Sequence, residues 1–217
     1  MLPISLHRAI ESLYCEFSTV PHPSTIPACP CCLSADEIEV LLSTPLRAIP
    51  GNDLSSYAAS AFLTVAEKDD YLYFLPRILE LSITGENFSW PSLEVTGRAV
   101  KDAGFQQWSS SMQRTLSDFL LLVVEHIVRS GEHWKIDEWM CGIGLMELDV
   151  EPFLGLIEQN QDAVLEYWKD NSGKLDRGLL GNEFWDPPNA QHDQIVKWFQ
   201  SSKINLIYAA AYGYRMQ

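Results

Sequence analysis

Residues 112–129 read MQRTLSDFLLLVVEHIVR, and the apolar side chains of Met112, Leu116, Phe119, Leu120, Val123, Val124 and Ile127 fall at offsets of 0, 4, 7, 8, 11, 12 and 15. That spacing draws one apolar stripe along an α-helix, because residues three, four and seven apart share a face. Arg114 with Asp118 and Glu125 with Arg129 make two four-residue pairs of opposite charge on another face. Gly131 supplies the residue that tolerates a left-handed backbone and so stops the helix. The same stretch holds the longest apolar run, Phe119 to Val124, six residues where roughly 20 are needed to cross a bilayer. A central core helix is expected here, and no membrane span.

Helical periodicity continues on both sides of it. Residues 4–17 form the first expected helix, followed by a loop whose prolines, Pro21, Pro23, Pro27 and Pro30, each lack an amide proton. Ser34 and Glu37 have the spacing of a capping box before a short helix that Pro45 ends. Asn52 or Asp53 caps a third, reaching about Val65, whose Ala58, Ala59, Ser60 and Ala61 would let a neighbour approach closely. Asp69 and Asp70 open the next, where acids favour the positive end of the helix dipole. Pro76 is expected to kink or restart that helix, and Arg77 to pair with one of the two aspartates. Pro91 suits the first turn of a helix ending near Gly104. Downstream, helices are expected at 137–147, 151–159, 163–171, 192–201 and 204–212. The loop at 172–189 carries Gly173, Gly178, Gly181, Pro187 and Pro188, and its Leu179, Leu180, Phe184 and Trp185 should pack it down.

Alternating strands joined by hairpin turns are missing, so the expected class is all-α: a multi-helix bundle, or an irregular stack of antiparallel helix pairs. No period of about 34 or 40 residues repeats with matched residues. One domain over 1–217, with a softer boundary near 131, is the simplest organisation at this length.

Of 217 residues, 47% are hydrophobic and 20% charged, as in ordinary globular chains. The unusual quantity is charge: 29 acids against 15 bases give a net of −14. That balance argues against a protein that binds nucleic acid by neutralising phosphates. Arg8, Glu11 and Glu16 interrupt the first helix, so it reads as amphipathic rather than as a secretory leader, and a cytoplasmic location is expected. The five cysteines, Cys15, Cys29, Cys31, Cys32 and Cys141, are then expected as reduced thiols.

The most distinctive short string is Cys29-Pro30-Cys31-Cys32. Cys29 and Cys32 have the gap with which two thiolates hold one zinc ion, but a structural site needs four ligands, and Cys15, His22 or Cys31 would have to complete it. Free thiols, a zinc site built on Cys29 and Cys32, and redox chemistry all stay open, the last weakened because a redox pair of this spacing usually sits between a strand and a helix. No other cofactor is implied. Glu125-His126 and Glu132-His133 lack the spacing that turns two imidazoles toward one metal, so the histidines read as surface or capping residues. There is no G-x-S-x-G elbow, and Gly142 and Gly144 in CGIGLM do not complete a phosphate-cradling loop. The adjacent acids Asp69-Asp70 and Asp137-Glu138 diverge by about 100° on a helix and are better explained as helix-start residues. No complete catalytic motif is present, and no enzyme activity is expected.

Residues 132–170 hold ten acids and two bases, a net of −8. Trp134, Trp139, Phe153, Tyr167 and Trp168 are interleaved with them. Acidic surfaces steer basic partners, and tryptophans anchor interfaces. The candidate partner surface is Trp134, Asp137, Glu138, Trp139, Glu147, Asp149, Glu151, Glu158 and Asp162.

The stretch from Cys29 to Trp108 resembles a bacterial family of uncharacterised helical proteins. The resemblance rests on a CxxC start, PLR at Pro45, Leu46 and Arg47, then Asp53, Leu54 and Tyr57, DDYxxFLPRILEL from Asp69 to Leu81, and Ala103, Gly104, Phe105 and Trp108. It implies a shared fold and no particular activity. In character, small, acidic and without catalytic motifs, the chain also resembles the cytoplasmic immunity proteins of bacterial competition systems, including type VI secretion. That resemblance implies binding of a cognate protein toxin with a basic surface, such as a nuclease effector, without direct contact to nucleic acid or membrane. Two further readings are an adaptor or regulatory scaffold and a metal-dependent hydrolase using Cys29, Cys32 and scattered histidines.

Overall fold

The computed structural model describes residues 2–85 and 91–213. Among them, eleven α-helices and short 3-10 turns make up the regular structure, two isolated bridges are the only β contacts, and there is no sheet. The all-α class read from periodicity holds. In order come α1 (Ile4–Phe17), α2 (Ala35–Ser43), α3 (Gly51–Ser60), α4 (Lys68–Thr84), α5 (Leu93–Asp102), α6 (Ser110–Ser130), α7 (Ile136–Leu145), α8 (Glu151–Ile157), α9 (Gln161–Asn171), α10 (Ala190–Phe199) and α11 (Ser202–Tyr212). The chain divides into two compact units, Met1–Phe119 and Leu120–Gln217, the division falling within the sequence of α6. No helix among the described residues is long and apolar enough to cross a membrane.

In the first unit α1 lies along α4, burying Leu6, Ile10, Leu13, Tyr14 and Phe17, the stripe expected of a helix with an inward face. The capping box before α2 forms as read: the Glu37 N–H donates to Ser34 Oγ and the Ser34 N–H donates to the Glu37 carboxylate. α3 packs on α2, α4 and α5 through Leu54 and Tyr57, and the Tyr57 ring meets Phe74 edge-on at 4.8 Å. It ends at Ser60, short of the expected Val65, because the Leu63, Thr64 and Val65 amides turn back onto the Ser60 carbonyl.

α4 differs from expectation at two points. It runs through Pro76 as one helix, although proline forfeits a backbone hydrogen bond there at a local cost of about 3 kcal/mol. Phe74, Leu75, Ile78 and Leu79 surround Pro76 in sequence and are completely buried, and that apolar burial outweighs the lost bond. Arg77 pairs with neither Asp69 nor Asp70. Its Nε donates to the Ile49 carbonyl at 3.0 Å and its Nη1 to Glu80 at 2.7 Å, while Asp69 and Asp70 lie about 10–12 Å back along the helix axis. Asp70 is instead buried, accepting the Glu67 N–H at 2.7 Å and the Tyr57 hydroxyl at 3.2 Å.

In the second unit α7 packs against α9 and α10, α8 against the same two, and α11 closes over α9 and α10. Ile136, Trp139, Met140 and Ile143 form the buried stripe of α7. The loop at 172–189 packs down through Leu180 and Trp185, with Leu175, and holds two 3-10 turns, but of the four residues expected to anchor it Leu179 is exposed and Phe184 only half-buried. Gly142 and Gly144 lie buried inside α7, and the Trp185 indole occupies the space that a side chain at Gly144 would take.

Candidate functional site

Two features of the surface concentrate chemistry: the acidic region of the second unit and the cysteine turn of the first. In the acidic region, the 3-10 turn His133–Lys135 follows α6 and packs on α9. Trp134, its middle residue, is 63% exposed. Lys135 is already paired with Glu132 at 3.1 Å and Lys169 with Glu166 at 3.0 Å, so the bases of this region are engaged by its own acids. The Asp170 carboxyl titrates above the usual aspartate range, first because it is partly buried and then because the carboxylates of Asp137 and Glu166 face it. Carboxylates here are close enough to repel one another.

The nine residues expected to form the partner surface take different places. Trp139 is corrected: it is 4% exposed, on the inward stripe of α7, and fills the core rather than presenting an anchor. The signal was in the sequence, since positions 136, 139, 140 and 143 have the spacing of a buried helical face. Asp137 is half-buried and holds structure together, accepting from Asn171 Nδ2 at 2.9 Å and from Asn182 Nδ2 at 3.1 Å. Glu158 accepts from Trp198 Nε1 at 2.6 Å and from the Lys203 ammonium, joining the end of α8 to α10 and α11. Burial works to raise the Glu158 pKa, but these two donors outweigh it and hold the carboxyl below the usual glutamate range. Glu138 and Glu147 are half-buried. Asp149, Glu151 and Asp162 are exposed, with Asp149 accepting the Glu151 N–H at 3.1 Å at the start of α8. Asp162 lies at the opposite end of α9 from Asn171, about 14 Å away along the axis. The fully exposed members are therefore Trp134, Asp149, Glu151 and Asp162.

The cysteine turn is built from its proline. Pro30 fixes the backbone angle favoured at the second position of a β-turn, and the Cys32 N–H donates to the Cys29 carbonyl at 2.9 Å to close it. Leu33 then buries itself and anchors the exit. On the entry side the Cys29 N–H donates to the Thr64 carbonyl at 2.8 Å, and the Ala66 N–H to the Pro27 carbonyl at 3.0 Å. The three sulfur atoms, Cys29, Cys31 and Cys32, all lie within 4.8 Å of one another. Cys29 Sγ is 2.6 Å from Cys31 Sγ, which is 3.6 Å from Cys32 Sγ. Hydrogen bonding from Cys31 holds the Cys29 thiol below its usual range, while the bonds to Cys29 and Cys32 push Cys31 up to about 11. Cys15 and His22 do not enter the cluster: Cys15 lines a groove beside Arg47, and His22 rests edge-on against Tyr73 at 5.0 Å.

Among the histidines, His133 accepts its expected capping role, with Nε2 at 3.0 Å from the Val128 carbonyl near the end of α6. His192 departs from the surface reading: it is 2% exposed, and its Nε2 accepts the Leu180 N–H at 3.3 Å. Its Nδ1 therefore carries the proton and donates to Asp193 at 3.1 Å. Both are structural uses of imidazole.

Sequence reading missed one network. Arg47 clasps Glu11 with both terminal nitrogens at 2.7 Å and stacks 3.8 Å over the Tyr14 ring. The Tyr14 hydroxyl donates to Glu80 at 2.6 Å, and Glu80 accepts from Arg77. Arg47, Arg77 and Glu80 belong to the PLR and LPRILEL strings, so these motif residues meet in space and hold α1 to α4. No family model, curated protein or solved structure matches the chain.

Proposed function

We propose that this chain is a protein-binding inhibitor that neutralises a cognate bacterial toxin with a basic surface, such as a nuclease effector. The observation that carries the proposal is Trp134: a large indole left 63% exposed within a region whose charge is −8 and whose lysines are taken up by neighbouring acids. An exposed tryptophan in a stretch of net negative charge suits a partner that brings its own cations, with the acids accelerating encounter and the indole supplying buried contact. The resemblance in character to cytoplasmic immunity proteins supports the same reading. Asp149, Glu151 and Asp162 are the acids free to meet such a partner.

The test is a tagged pull-down at low salt, followed by association kinetics with the protein recovered. A stoichiometric partner carrying a toxin domain is expected, with an association rate that falls as ionic strength rises. Trp134→Ala should weaken binding by about 2 kcal/mol without lowering the melting temperature. An association rate flat from low to high salt, or unchanged affinity for Asp149→Lys combined with Asp162→Lys, would remove the acidic region from the interface.

A further inference from the structure

We propose that Cys29, Cys31 and Cys32 together bind one thiophilic d10 metal ion, Zn(II) or Cu(I), as a three-thiolate site. The sequence singles out Cys29 and Cys32 by their spacing, but the folded turn adds Cys31 as an equal member, all three sulfurs falling within one 4.8 Å sphere. Sulfurs bound to one ion at about 2.3 Å sit about 3.8–4.0 Å apart, a triangle these side chains reach by small rotations about their Cα–Cβ bonds. Soft thiolate donors select zinc and cuprous ions over hard cations. Among the described residues no fourth histidine, cysteine or carboxylate shares the cluster. Three-coordinate Cu(I) needs none, and Zn(II) would complete its tetrahedron with water. Binding is ligand exchange without redox change: each thiol gives its proton to solvent as its sulfur–metal bond forms.

The placement of the thiols argues against a packing role. Cysteine used for packing is buried, as Cys141 is, with no exposure at all within α7. Cys31 is exposed and Cys29 and Cys32 are half-exposed, on a turn whose entry is hydrogen-bonded to the segment around Thr64. Its brace, the segment around Thr64, is flanked by two residues in the left-handed region that are not glycine, Phe62 at φ 60° and Ala66 at φ 71°. Such backbone costs about 1–3 kcal/mol each and persists only where surrounding structure enforces it. Here Phe62 is held against Tyr71, edge-on at 5.2 Å. The backbone of the turn is thus tied to a segment of constrained conformation.

The experiment titrates the reduced, full-length protein anaerobically with Zn(II) and, separately, with Cu(I), each against a chromophoric chelator. One equivalent per chain is expected, with Cys29→Ser, Cys31→Ser and Cys32→Ser each weakening retention at least ~10-fold and Cys15→Ser leaving it unchanged. Circular dichroism of each variant separates lost ligands from lost fold. Cys31→Ser retaining metal like the unaltered protein would overturn the three-thiolate site. So would failure of the reduced protein to retain either ion, with mass spectrometry after air exposure locating a disulfide within residues 29–32.

Discussion

The Asn171 side-chain amide donates to the Asp137 carboxylate at 2.9 Å while its carbonyl oxygen accepts the Gly181 N–H at 2.7 Å, so one buried carboxamide ties α9 to α7 and to the loop at 172–189. Removing it leaves the Gly181 amide without this acceptor and takes one donor from Asp137, which keeps the bond from Asn182. Asn171→Ala is expected to lower the unfolding free energy by about 1–3 kcal/mol in urea titration. A loss below about 0.5 kcal/mol would show that water replaces the carboxamide. The consequence for binding studies is direct: charge reversal at Asp137 perturbs folding, and Asp149, Glu151 and Asp162 are the acids to reverse.

Arg77 couples to Glu80 rather than to the aspartates that precede it on α4. A double-mutant cycle between Arg77→Ala and Glu80→Gln should give an interaction energy of about 1–3 kcal/mol, and the cycle with Asp69→Ala about zero. Arg77→Lys keeps a charge near Glu80 but loses the Nε bond to the Ile49 carbonyl, and should fall between the native protein and Arg77→Ala. Equal coupling to Asp69 and Glu80 would mean that only long-range charge is at work.

What could be read in advance depended on whether the governing interaction was local. The α6 stripe, the Ser34–Glu37 box and the glycine stop at Gly131, with φ 79°, depend on residues within a turn of one another, and each formed as read. Trp134 and Trp139 look alike in a list of aromatics among acids. They part because residue 139 continues the 136, 140, 143 stripe and residue 134 lies in the turn before it. Asp70 and the Nε of Arg77 escaped because their partners, Tyr57 and the Ile49 carbonyl, are chosen by the packing of α3 and the preceding loop on α4, whereas Glu80, one turn beyond Arg77, was within reach of a local reading. At the cysteine turn, the proline at its second position was the overlooked sign that three sulfurs, not two, would converge.

Glu158 makes stability depend on pH in a defined direction. Its native pKa is depressed, so relative to the unfolded chain it contributes stability above the ordinary glutamate value of about 4.3 and loses it as pH falls through the lower native value. Glu158→Gln can still accept from Trp198 but no longer attracts Lys203, which is itself well exposed. The variant should be less stable by under about 1 kcal/mol at pH 7, the gap closing as pH falls below about 4. A gap constant from pH 7 to pH 3 would assign the loss to packing instead of charge.

Gly144 and Gly155 both sit inside helices, where glycine is about 1 kcal/mol poorer than alanine, and they should respond to alanine with opposite sign. At Gly155 nothing lies within 4 Å of an added methyl, so Gly155→Ala should stabilise α8 by up to about 1 kcal/mol. At Gly144 the methyl would collide with the Trp185 ring and stand 3.2 Å from Gln191 Cβ. Buried rings in a filled core cannot move without cost, so Gly144→Ala should destabilise by about 1–3 kcal/mol despite its better helix propensity. Trimming the ring relieves the clash, and Gly144→Ala with Trp185→Leu should therefore cost less than the two single losses combined. If Gly144→Ala stabilised the protein as Gly155→Ala does, Trp185 would have room to withdraw, and the glycine in CGIGLM would need another explanation.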